Sequence, residues 1–232
     1  MVHLDGMTPF MTPSPHIPVL QAGDRLTRDE FERRYAAMPE LKKAELIDGI
    51  VYMPSPVRYT PHGRPHAVLT TWLGVYSTAT PGTKYATDAT LRLDLDNEPQ
   101  PDLVLRMDGK HGRSRIDAEQ YLEGPPELVA EIAASSVSYD LHQKLHVYRR
   151  AAVLEYLVVR TQDNAVDWFV QRGGAFDRLV PDARGVLAST VFPGLALDVE
   201  ALRRDDEAAL HATLRQAMGT KAHAEFVARL RR

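Results

Sequence analysis

The six residues Glu127-Leu128-Val129-Ala130-Glu131-Ile132 constrain this chain more than any other stretch. A short apolar run entered through Gly124-Pro125-Pro126 predicts a buried central strand. Glu131 interrupts it, and an ionised carboxylate in such a strand is expensive unless it is paired or bound to a cation. Leu141, Leu145, Tyr148 and Ala152 then recur at helical spacing, which predicts a helix capped by Ser138 and running to about Ala151.

The elements around this unit follow from similar signals. Thr27 and Glu30 fit a capping box, Leu26 and Phe31 a hydrophobic staple. The helix they open carries Phe31, Tyr35 and Met38 on one face and stops before Pro39. Asp48-Gly49 lies between the apolar stretches Ala44–Ile47 and Ile50–Met53, a strong hairpin signal, because a type I′ turn needs φ > 0 at both central residues. Pro54, Pro56 and Pro61 hold an extended loop, and the spacing of Val68, Leu69, Trp72, Leu73 and Tyr76 predicts a helix over about His62–Ser77. Tyr85–Leu95 reads as one alternating strand with Ala89, Leu91, Leu93 and Leu95 on one face. Pro101–Leu105 reads as a short buried strand, and Ala118–Leu122 as a short helix. Glu155–Val159 is a further strand. Val166–Arg172 and Phe176–Val180, joined by Gly173-Gly174, form a hairpin. The stretch after Asp198 is helical in composition and broken near Gly219. The core order is helix, three strands, helix, strand (α-β-β-β-α-β), an α/β fold with a mixed central sheet flanked by helices.

The 232 residues suit one generous domain with appendages: a loose proline-rich arm over 1–22, a domain over 23–200 and a helical extension over 201–232. No apolar run nears the ~20 residues needed to span a bilayer, and the first twenty residues lack the pattern of a secretory signal. The absence of cysteine removes disulfides, thiolate metal sites and cysteine nucleophiles, and fits a cytoplasmic location. At a net charge of −3 the chain must meet any polyanion through a local basic groove or a metal.

Asp102 follows Pro101 at the head of an apolar strand, Glu131 sits inside one, and Lys144 lies toward the buried side of the helix. Each has a plainer structural reading: Asp102 capping a turn, Glu131 facing water from an edge strand, Lys144 snorkelling from a helix flank. Together they form a set in which hard oxygen ligands suit Mg²⁺ or Mn²⁺. The ion would polarise a phosphoryl oxygen while the lysine orients water or stabilises developing charge. His142 and His146, four apart, lack the glutamate of a zinc protease and point away from the apolar stripe. No phosphate-cradling glycine loop and no Gly-x-Ser-x-Gly elbow is present.

Five motifs occur in a fixed order: Glu45-Leu46-Ile47-Asp48-Gly49; Pro54-Ser55-Pro56 leading to His62; Gln100-Pro101-Asp102; Glu131-Ile132-Ala133-Ala134-Ser135-Ser136; and Asp140 with Lys144 and Tyr148 at intervals of four. In that order the chain resembles the Uma-two-type restriction endonuclease family, within the PD-(D/E)XK nuclease superfamily, over residues 26–200. The resemblance implies a restriction-endonuclease-like core and a metal-dependent endonuclease hydrolysing phosphodiester bonds in DNA. Asp102 and Glu131 would hold Mg²⁺ (or Mn²⁺), Lys144 would replace the lysine usual two residues after the glutamate, where Ala133 stands, and Glu45 would be a supporting carboxylate. Tyr148 and His62 would line the site, and a homodimer would address both strands. Arg106, Lys110, Arg113 and Arg115 are the candidates for a DNA-binding groove. The Ala133-Ala134 segment, where the family more often has Leu-Ser-Pro, leaves open an alternative: a nuclease-like nucleic-acid-binding or regulatory module with little turnover.

Overall fold

The computed structural model describes residues 17–53, 56–134 and 136–232. Part of the proline-rich arm, Pro54-Ser55 and Ser135 lie outside them. Asp48 (φ 51°) and Gly49 (φ 70°) both take the left-handed conformation, so β1 (Glu45–Ile47) and β2 (Ile50–Tyr52) close as a two-residue hairpin. Helix α1 (Arg28–Ala36) docks beside it through Phe31, with Leu20, Ala44, Leu46 and Val51 in the same cluster. Leu20 is buried, so the fold is anchored before the expected end of the loose arm at residue 22. The capping box does not form. The Thr27 side chain makes no cap bond, and Glu30 instead binds Arg33 at 2.7 Å and Arg34 at 2.6 Å, because charged donors outbid a backbone N–H.

Helix α2 (Arg64–Ala79) is entered through a π turn over Tyr59–Gly63 and buries Val68, Leu69, Trp72, Leu73 and Tyr76. It covers one face of a six-stranded sheet. The strands are β3 (Thr83–Thr87), β4 (Leu103–Met107), β5 (Leu128–Ala133), β6 (Glu155–Arg160), β7 (Ala165–Arg172) and β8 (Ala175–Arg178), in the spatial order β8-β7-β6-β5-β4-β3. Within this sheet only β5 and β6 run parallel to each other. A parallel pair needs a crossover, and the helical run α3 over 137–150 supplies it on the other face, opening one residue ahead of the expected cap, Ser138. Leu128, Ala130 and Ile132 of β5 face the α2 core, whereas Val129 and Ala133 face α3.

Two elements differ from expectation. The strand expected over Tyr85–Leu95 breaks at Asp88 (φ 51°) and resumes only as Leu91–Arg92, leaving Leu95 exposed. Residues 118–122 form no helix. A turn held by the Asp117 carboxylate, which accepts the N–H groups of Glu119 and Tyr121, leads into the short strand Leu122–Glu123. The C-terminal helices α4 (Glu207–Met218) and α5 (Lys221–Leu230) place Leu210, Leu214, Phe226 and Leu230 in the same core as Trp72 and Trp168. They belong to the globule.

Candidate active site

Strand register assembles the site. Leu103 pairs with Thr87 on one side and Ala130 on the other, so the next row outward aligns Asp88, Asp102 and Glu131 across β3, β4 and β5. Bonds from main-chain N–H groups tie the row together: the Asp88 N–H donates to the Asp102 carbonyl at 3.2 Å, and the Asp102 N–H to the Glu131 side chain at Oε2, 3.4 Å away. The Ile132 N–H donates to Asp102 Oδ2 at 2.7 Å.

Helix α3 lays Asp140, Lys144, Val147 and Tyr148 toward the sheet. Its buried face is therefore centred one residue away from the apolar stripe, because the strand opposite presents Glu131 and draws the ammonium inward. Lys144 Nζ donates to Glu131 Oε1 and to Glu45 Oε1, each at 2.9 Å, and the Tyr148 hydroxyl donates to Glu131 Oε1 at 3.0 Å. Glu45 Oε1 also accepts the Gln100 N–H at 2.7 Å, which fixes the hairpin against the segment leading to Asp102. The π turn before α2 sets His62 Nε2 3.2 Å from Asp102 Oδ1. The structure thus brings together Glu45, His62, Asp102, Glu131, Lys144 and Tyr148. It adds three residues that sequence reasoning missed, His66, Asp88 and Lys43. His66 Nε2 lies 3.1 Å from the Asp102 carbonyl and 3.7 Å from Asp88 Oδ2, and Lys43 Nζ lies 3.3 Å from Asp88 Oδ1. The available signal was His62 and His66 four apart at a helix start. Asp88 had none, since its position depends on the strand break.

The charges do not balance. Glu45, Asp102, Glu131 and Asp140 are buried around a single buried ammonium. Burial pushes the Glu131 carboxyl up to about 8, Lys144 pulls it down, and Asp102, Asp140 and Glu45 push it up again. Burial alone would lower Lys144, but Glu131, Glu45 and Asp140 outweigh it and keep the ammonium charged. Asp102 is pushed up by burial, yet His62, the Ile132 N–H and Lys43 hold it below the ordinary carboxylate range. The bond to Asp102 raises His62 against the effect of its own burial. Excess buried carboxylate with one carboxylate held ionised is a donor set that fits a divalent cation. Among the described residues, one oxygen each of Asp88 and Asp102 and a ring nitrogen of His66 lie within 4.8 Å of one another.

The expected basic groove does not form beside Asp102. Arg106 lies at the far end of β4, buried on Ser114 and Asp108, while Arg113 binds the Ala152 carbonyl, Arg115 binds Glu123 and Lys110 binds the Arg232 carbonyl. A strand of five residues separates its two ends by roughly 13 Å. His142 and His146 are exposed.

Among the described residues, no helix is long and apolar enough to cross a membrane. No curated protein matches this chain. A crystal structure from Anabaena variabilis, described as a "putative nuclease belonging to DUF820", is 15% identical with a TM-score of 0.57, covering 77% of this chain and 98% of that one. At that identity the likeness shows the fold, a mixed sheet flanked by helices. Residues 28–200 match the family model described as "Putative restriction endonuclease". With three-quarters of its length in that match and a nuclease-like fold, the chain belongs to the Uma2 family.

Proposed function

We propose that the protein is a metal-dependent endonuclease that hydrolyses phosphodiester bonds in DNA. The observation that carries this reading is the convergence of Asp102, Glu131 and Lys144, from two strands and a helix, in one buried pocket. Asp102 and Glu131 would hold a divalent ion, which when bound acts as a Lewis acid on the phosphoryl oxygen and lowers the pKa of bound water. The chain's own residues do the rest. Lys144 balances the charge of Glu45 and Glu131 and presents the only buried lysine ammonium among the described residues to a developing anion. Tyr148 fixes the Glu131 carboxylate, and His62, facing Asp102 from a half-buried position, is placed to carry a proton. The homodimer suggested by the family resemblance would present two such pockets, one per strand.

The test is cleavage of supercoiled plasmid and of single-stranded DNA by the purified chain with Mg²⁺ or Mn²⁺. Asp102→Ala and Glu131→Ala should abolish cleavage, with circular dichroism showing an intact fold. A second reading, a nuclease-like binding module with little turnover, is favoured by one observation: Lys144 is buried and already committed to two carboxylates. DNA binding without cleavage under any divalent ion would select it.

A further inference from the structure

The two oxygens of Asp102 keep different company. Oδ2 is held by the Ile132 N–H, inside the sheet, whereas Oδ1 faces the histidines of the α2 entrance. On that side, away from Lys144, His66 and Asp88 approach Asp102 closely enough for one small ion to touch all three. Each comes from a different element. His66 stands in the first turn of α2, Asp102 at the entrance to β4, and Asp88 just past β3, at the point where the backbone turns left-handed (φ 51°). Lys43 occupies Oδ1 of Asp88, which leaves Oδ2, 3.7 Å from His66 Nε2, turned toward the site. Glu131 has less to offer. Its Oε1 is taken by the buried Lys144 and Tyr148, and its Oε2 meets the Asp102 N–H. His66 Nε2, by contrast, meets the Asp102 carbonyl and Asp102 Oδ1 meets half-buried His62, contacts that a bound ion would displace.

We infer that His66 and Asp88 complete a metal site with Asp102, and that this imidazole-bearing set selects Mn²⁺ over Mg²⁺. The inference rests on the metal-dependent reading above and refines its ligand set, placing His66 and Asp88 beside Asp102 where that reading has Glu131. Mg²⁺ demands oxygen ligands and sheds its waters reluctantly, whereas an imidazole nitrogen favours the transition ions. A set of one nitrogen and two carboxylates therefore discriminates where an all-carboxylate set does not.

The experiment titrates the full chain with Mn²⁺, reading free ion by electron paramagnetic resonance, with Mg²⁺ as competitor. Electron spin-echo modulation reads directly bound nitrogen. The expected result is a nitrogen signal in the wild type that His66→Gln removes. Mn²⁺ affinity should fall about tenfold or more in that variant while Mg²⁺ affinity barely changes. Asp88→Asn, a surface change that does not threaten folding, should weaken both ions together. The inference is overturned if bound Mn²⁺ shows no nitrogen, if the nitrogen signal survives His66→Gln and vanishes in His62→Gln, or if His66→Gln leaves the Mn²⁺-to-Mg²⁺ ratio unchanged. Retained Mn²⁺ binding that Asp102→Asn abolishes would, in those cases, leave the metal-dependent reading standing. Failure of the wild type to bind any divalent ion would overturn both.

Discussion

Lys144 is the residue on which the pocket's charge arrangement turns. Removing one partner of a buried pair leaves uncompensated charge and costs about 3–5 kcal/mol, whereas replacing all partners together costs far less. Lys144→Met should therefore lower stability by that amount in denaturant titrations, and the triple change with Glu45→Gln and Glu131→Gln should recover most of the loss. Glu131 supplies a pH signature. Its folded value of about 8 lies above the unfolded 4.5, so between these the folded chain keeps a proton that the unfolded chain has released. Its contribution then makes stability fall as pH rises through this window. Asp102, depressed in the fold, works oppositely: its contribution is present above its unfolded value and is lost in acid. Thermal melts from pH 5 to pH 8 should show the decline, and Glu131→Gln should flatten it.

At the level of elements, the hairpin is a positioning device. Glu45 reaches Lys144 only because β1 and β2 turn at Asp48-Gly49 and because Leu46 and Glu98 bond to each other across their backbones. Gly49 holds φ 70°, and a Cβ there would stand 3.3 Å from the Leu26 carbonyl. Gly49→Ala should cost about 1 kcal/mol or more of stability and reduce cleavage beyond what that loss explains, measured by melting and by plasmid nicking. Behind the hairpin, Glu98 is buried with Glu32 beside it, and burial followed by that neighbouring carboxylate pushes it up to about 9. Glu98→Gln, which keeps shape and hydrogen-bonding capacity, should raise the melting temperature at pH 8 more than at pH 5.

At the scale of the whole molecule, the family match ends at residue 200 but the core does not. Trp72 donates its indole N–H to the Ala196 carbonyl, Thr80 bonds His223, and Phe226 packs edge-on against Phe192. Phe226→Ala should therefore cost about 3–5 kcal/mol, as much as a truncation in the central sheet. A chain cut after Arg203 should lose cooperative unfolding in urea, even though every residue of the candidate site remains. Survival of a sharp transition in that fragment would show the helices to be an appendage after all.

Much of this architecture was written locally. The Asp48-Gly49 turn, the apolar spacing of α2, the Gly173-Gly174 hairpin and the strand around Glu131 are decided by neighbours within a few residues, so the order α-β-β-β-α-β and the carboxylates at Asp102 and Glu131 could be read from the chain, whereas Glu45 came only with the family resemblance. Other features depended on distant partners. The sequence spacing marks Leu141 and Leu145 as the inward face of α3, yet Glu131 pulls the face toward Lys144. The alternation of Tyr85–Leu95 promises one strand, yet the backbone breaks to set Asp88 beside Asp102. Register alone makes Asp88, Asp102 and Glu131 a single row. Side-chain chemistry along a chain specifies elements, but which charges share a pocket is settled by pairing between strands far apart in sequence.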